Sequence, residues 1–115
     1  MKKLAMTILI AAAVASISAR AADDAKAKAK TTYMKLCKGC HGVDGKGDTT
    51  LGRRLGVLDY TQAKVQDAVK DEEMFKAIKE GYKKNGRTLM RPFGERLNDE
   101  EIKALVAYFR DFKKK

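Results

Sequence analysis

Two cysteines and one histidine stand within five residues, Cys37-Lys38-Gly39-Cys40-His41, and the 115-residue chain has no other residue of either type. That cluster narrows what the chain can fold into. A disulfide between Cys37 and Cys40 would close a tiny loop and restrict the unfolded chain very little. A structural zinc site normally takes four protein ligands, and here a single histidine is available. A thioredoxin-like C-x-x-C needs a βαβ setting, and no stretch of this sequence shows sustained strand alternation. The five residues are therefore read as one unit, with the histidine part of the chemistry.

The N-terminus decides which residues belong to the folded domain. Lys2 and Lys3 form a short positive region, an apolar run follows from Leu4 to Ile17, and Ala19-Arg20-Ala21 offers small residues at the cleavage-determining positions. That order predicts a secretory signal peptide over 1–21, cleaved after Ala21. The apolar run is shorter than the roughly 20 residues that span a bilayer, which disfavours a retained membrane anchor. The remaining segment, 22–115, is the size of one small domain. Such a domain buries a modest core and often needs a staple or a cofactor to be stable.

Charge adds a second constraint. The full chain carries 25 basic against 15 acidic residues, +10, and removing Lys2, Lys3 and Arg20 with the signal leaves +7. A basic balance suits nucleic acid, an anionic membrane or an acidic protein partner. The expected export argues against the first.

The periodicity predicts helices throughout. One runs from Asp23 past Lys30, with Tyr33, Met34 and Leu36 as its apolar face. His41 to Gly56 is glycine-rich and reads as loop. A short helix is expected around Thr61 to Val69. Another starts at Asp71, with Glu72 and Glu73 in its first turn and Met74, Phe75 and Ile78 as its stripe, and stops at Gly81. Tyr82 to Leu97, around the single proline Pro92, reads as an extended loop. Asn98 with Glu101 forms a capping-box start for a last helix with Ile102, Leu105, Val106 and Phe109 at helical spacing. The domain is expected to be all-α.

On such a scaffold C-x-x-C-H is the attachment signature of a c-type haem. Two thiols separated by two residues at a helix end can reach the two vinyl groups on one side of a porphyrin. The adjacent histidine then turns its imidazole to the iron. The porphyrin also supplies the apolar object that a small domain needs to fold around. An electron-carrying haem usually takes a sixth ligand, and a methionine thioether opposite a histidine raises its potential. Met34 lies within a turn of the motif on the same helix, where geometry keeps it from the opposite haem face. Met74 sits in an amphipathic stripe, where core packing is the default. Met90 lies in the proline-containing loop and is the candidate ligand.

From Tyr33 through Cys37-Lys38-Gly39-Cys40-His41-Gly42 and Asp44-Gly45-Lys46-Gly47, the chain resembles a single-haem class I cytochrome c of the bacterial type. The resemblance continues through Glu73 to Gly81, Met90-Arg91-Pro92-Phe93-Gly94, and Leu97 to Arg110, covering nearly all of 22–115. It implies a small class I cytochrome c fold, about four helices wrapped around one covalent haem c. It implies that Met90 is the distal ligand. It further implies that the first and last helices cross, bringing Tyr33 near Val106. Two positions depart from the family pattern. Arg91 intervenes between Met90 and Pro92, and Leu55-Gly56-Val57 stands where a proline carbonyl often holds the proximal imidazole.

These residues imply a diffusible periplasmic electron carrier, not an enzyme, because no second imidazole or other evident acid–base group accompanies His41. The alternatives are a haem subunit of a larger oxidoreductase and a haem-based binder of small ligands. The partners implied are a redox donor and acceptor with acidic docking surfaces. Lys38, Lys46, Arg87 and Arg91 are the expected contributors on this side.

Overall fold

The computed structural model describes residues 2–114, with side chains from Ile17 onward. The positive region and most of the apolar run of the expected signal segment therefore lie, as side chains, outside the described residues. Among the described residues no helix is long and apolar enough to cross a membrane.

Six helices and one hairpin follow in order: α1 (Lys2–Leu36), α2 (Lys38–His41), α3 (Thr50–Leu55), α4 (Ala63–Ala68), α5 (Asp71–Glu80), β1 (Tyr82–Lys84), β2 (Arg87–Met90) and α6 (Asp99–Arg110). The fold is mostly helical, as the periodicity requires. It has more pieces than the four expected helices, because two short helices sit in the segments between the long ones.

The core forms where α1 crosses α6. Tyr33, Ile102 and Leu105 are fully buried there, with Val106 and Phe109 beside them and Met74 and Ile78 of α5 closing the cluster. Complete burial of an Ile or Leu side chain contributes roughly 1.5–3 kcal/mol by area. The aromatic packing is dense: Tyr33 lies 4.9 Å from Tyr108 and 5.3 Å edge-on from Phe109, centroid to centroid. The helix crossing expected from the sequence is thus present, and Tyr33 shares one cluster with Val106. The Tyr33 hydroxyl is buried as well, and it donates to the Gly42 carbonyl at 2.5 Å, fastening the core to the segment after α2.

The local signals at helix ends work as read. Asn98 accepts from the Glu101 N–H at 2.8 Å, and the Glu101 carboxylate accepts from the Asn98 N–H at 3.1 Å, a reciprocal capping box opening α6. At α5 the Lys70 N–H donates to the Glu73 carboxylate at 3.4 Å.

Two segments differ from expectation. Within the glycine-rich stretch, α3 forms because the Thr49 hydroxyl accepts from the Gly52 N–H at 2.8 Å, supplying an N-cap. The segment from Tyr82, expected to be an extended loop, opens with an antiparallel hairpin pairing Lys84 with Arg87 and Lys83 with Thr88. Its turn is Asn85-Gly86, with φ of 52° and 77°. Two positive φ values are what a two-residue hairpin turn matching strand twist demands, and Asn-Gly is the pair that adopts them most readily.

Candidate functional site

The attachment motif begins at the end of α1. Cys37 is buried against the core and Cys40 is half-buried, and both thiols are free in the structure. Burial, with Cys40 adding to it, pushes the Cys37 thiol up to about 12. The turn α2 then carries His41. Its imidazole stacks edge-on against Phe109 at 4.9 Å and lies 6.0 Å from Tyr60. Burial alone lowers its pKa to about 4, so the ring stays neutral at physiological pH. Neutral imidazole is the form that binds a metal. The Nδ1 atom is buried and has no hydrogen-bond partner among the described residues. Leu55, Gly56 and Val57, standing where a proline carbonyl often serves, line the same cleft as His41 without supplying that partner.

The motif is held from below by α3. The Thr49 hydroxyl donates to the Gly39 carbonyl at 2.8 Å while also capping α3, and the Gly47 N–H donates to the His41 carbonyl at 2.7 Å. The approach is so close that a Cβ at Gly52 would stand 2.3 Å from both the Cys40 and Gly47 carbonyl oxygens. Only a glycine lets this backbone press against the motif.

Cys37, Cys40 and His41 open into a cleft of about 750 Å³. Other parts of its lining come from α5, through Met74, and from the hairpin, through Met90 and Leu89. The sequence-predicted residues are thus brought together on one cavity. Both Met74 and Met90 reach it. Met74 is 5% exposed and belongs to the core, whereas Met90 sits half-buried at the end of β2, joined to the residues that follow. That following stretch is pinned to the last turn of α5. Phe93 and Gly94 donate their N–H groups to the Ile78 and Lys79 carbonyls at 2.9 and 3.0 Å. These are terminal helix carbonyls that lack intrahelical donors, so the loop satisfies the helix while the helix fixes the loop.

A network not evident in the sequence holds the far wall. The Gln66 side-chain amide donates to the Tyr60 and Phe109 carbonyls at 2.6 and 2.9 Å. The Arg110 guanidinium in turn donates to Gln66 Oε1 at 2.8 Å, to the Val69 carbonyl at 2.5 Å and to Asp71 at 2.8 Å. Tyr60 and Val69 both line the cleft. A buried amide and a long-range arginine leave no local pattern by which a sequence could disclose them.

The cleft fits a large apolar group. Leu51, Leu58 and Tyr82 are 44%, 49% and 50% exposed, and each of them lines it. Large apolar side chains left open on the inside of a cavity mark a surface shaped to be covered. Two cysteines, a neutral imidazole and a thioether converge on that space, the donor chemistry of a c-type haem.

The cations expected to dock partners sort unevenly. Lys46 pairs with Asp44 at 3.9 Å, so of the expected docking residues it is the one already engaged. Lys38 and Arg87 are exposed, and Arg91 lines the cleft. The hairpin adds Lys83 and Lys84, exposed cations that the loop reading passed over.

Comparison with known proteins agrees with this geometry. The family described as "Cytochrome C oxidase, cbb3-type, subunit III" matches residues 24–109. Cytochrome c-554(548) of Halomonas halodenitrificans is 34% identical over 74 residues, 64% of this chain and 80% of that protein. The solved structure of the KustC0563 c-type cytochrome superposes with a TM-score of 0.65 at 42% identity, covering 74% of this chain and 96% of that one. A variant of that cytochrome gives 0.64 at 40% identity, covering 75% and 99%. With a neutral histidine beside paired cysteines in an apolar cleft, and with relatives of this kind, the chain belongs to that cytochrome c family and is a single-haem, electron-transferring c-type cytochrome with covalently bound haem c.

Proposed function

We propose that this chain is a diffusible periplasmic one-electron carrier in which Cys37 and Cys40 form the thioether bonds to the haem and His41 and Met90 ligate the iron from opposite faces. One observation carries the reading: Cys37, Cys40, His41 and Met90 all line a single cleft. Residues 1–21 act as the secretory signal, cleaved after Ala21, and 22–115 form the cytochrome domain. The chain acts as a carrier and not as a catalyst, shuttling electrons between a donor and an acceptor with acidic docking surfaces. Lys38, Lys83 and Arg87 face those partners, and long-range attraction matters most for the small interfaces of transient redox complexes.

An optical redox titration of the protein purified from the periplasm tests this directly. The expected result is one haem per chain, a one-electron transition and the sulfur–iron charge-transfer band of the ferric form. A ferric form without that band, at any pH where the fold is intact, contradicts the His41/Met90 assignment. Electron exchange with an acidic partner is expected to slow steeply as salt rises. A rate flat in salt removes the docking role of the cations. The family's description as an oxidase subunit supports a second reading, a haem subunit of a larger complex. Elution of the native periplasmic protein as a monomer excludes it.

A further inference from the structure

Most of the cleft wall is apolar, and the charged groups that line it are Glu73, Lys84 and Arg91. Glu73 faces its own helix start, where its carboxylate accepts from the Lys70 N–H at 3.4 Å. The two cations stand at opposite ends of the hairpin: Lys84 ends β1 beside the turn, paired with Arg87, and Arg91 follows Met90, the last residue of β2. From Gly81 to Gly94 the chain contains four basic residues, Lys83, Lys84, Arg87 and Arg91, and no acidic one. Among the described residues neither Lys84 nor Arg91 has an ion-pair partner, whereas Lys79, three residues before the first strand of the hairpin, pairs with Asp99 at 2.9 Å.

Haem chemistry gives these unpaired cations a use. The macrocycle carries its vinyl groups toward one edge and its two carboxylates at the opposite edge. Thioether bonds to two fixed cysteines tie down the vinyl edge, so the position of the carboxylates is no longer free. They must meet whatever charge the rest of the wall offers. A carboxylate beside Glu73 would be repelled, and beside the leucines it would be stripped of water without compensation. Beside a guanidinium or an ammonium at the edge of a low-dielectric wall, the pair is stronger than one in open solvent.

We propose that Lys84 and Arg91 form the carboxylate-binding end of the haem cleft, each cation pairing with a haem propionate, so that the hairpin clasps the polar edge of the haem. The proposal rests on Cys37 and Cys40 being the attachment points, as proposed above. It also divides the hairpin's cations by role. Lys84 and Arg91 serve the haem, while Lys83 and Arg87, which do not line the cleft, remain available to partners.

The test uses the holoprotein and its Lys84→Gln, Arg91→Gln, double and Lys83→Gln variants. Resonance Raman spectra report the propionate bending modes directly. A pyridine haemochrome assay first establishes that each variant carries covalent haem; loss of haem attachment in the unmodified protein overturns the attachment reading and this proposal with it. The propionate modes are expected to shift in Lys84→Gln and in Arg91→Gln, to shift further in the double variant, and to stay in place in Lys83→Gln. The reduction potential should fall more in the double variant than the loss of charge in Lys83→Gln explains, because uncompensated carboxylates favour the ferric state. Arg91 adjoins Met90, so the sulfur–iron band is followed alongside; if Arg91→Gln loses it, Lys84→Gln alone decides. Unchanged propionate modes in Lys84→Gln overturn the proposal and leave its cation to partner docking, which the salt dependence of electron exchange would then report.

Discussion

Met74 and Met90 both line the cleft, so proximity does not choose between them. Connection does. Met74 is anchored in the core through α5, and Met90 sits on a strand end whose following residues are pinned to that helix. Replacing Met90 with Ala is expected to abolish the sulfur–iron band and lower the potential. Met74→Ala should keep the band while costing about 2–5 kcal/mol of stability, the usual range for emptying a buried methionine site. Loss of the band in Met74→Ala with retention in Met90→Ala would reverse the assignment. The motif itself was fully legible in the sequence, because attachment chemistry needs fixed residue types at fixed spacing. Gln66 and Arg110 were not legible. Their roles arise from hydrogen bonds across more than forty positions, which no local pattern encodes.

The short helix α3 and the hairpin are the elements that the sequence reading passed over, for related reasons. In each, glycines masked a specific signal: the Thr49 cap that starts α3, and the Asn85-Gly86 turn that the hairpin needs. Periodicity could not reveal either, since α3 is six residues long and the strands are three and four. The starts of α5 and α6, by contrast, were readable to within a residue from their caps and stripes, whereas α1 begins at Lys2, well before the expected Asp23. The same packing predicts that α3 acts as a buttress for the haem motif. A methyl group at Gly52 would stand 2.3 Å from two carbonyl oxygens, one of them that of Cys40. Gly52→Ala is therefore expected to cost about 1–3 kcal/mol or more, as overpacking does. At roughly 4–8 °C per kcal/mol for a domain of this size, thermal denaturation will read it plainly. A melting temperature equal to that of the unsubstituted protein would mean that α3 does not bear on the motif.

The core where α1 meets α6 is small, and an apolar cleft of about 750 Å³ adjoins it. A domain of this size with such a cleft through it lacks the buried area to be stable without its cofactor. The Cys37→Ser, Cys40→Ser double variant is accordingly expected to be largely unfolded by circular dichroism, without a cooperative melt. A monomeric, helical double variant that melts cooperatively would show that the protein core suffices. The central claim is that the chain is stapled to one haem at these two cysteines, and intact-mass spectrometry of the denatured periplasmic protein, followed by fragmentation of the peptide containing Cys37 and Cys40, tests it most directly. The predicted result is a chain beginning at Ala22 whose mass includes one haem after denaturation, with the added mass on both cysteines. A bare polypeptide mass, with free or disulfide-bonded Cys37 and Cys40 and the haem released by acid, would contradict it.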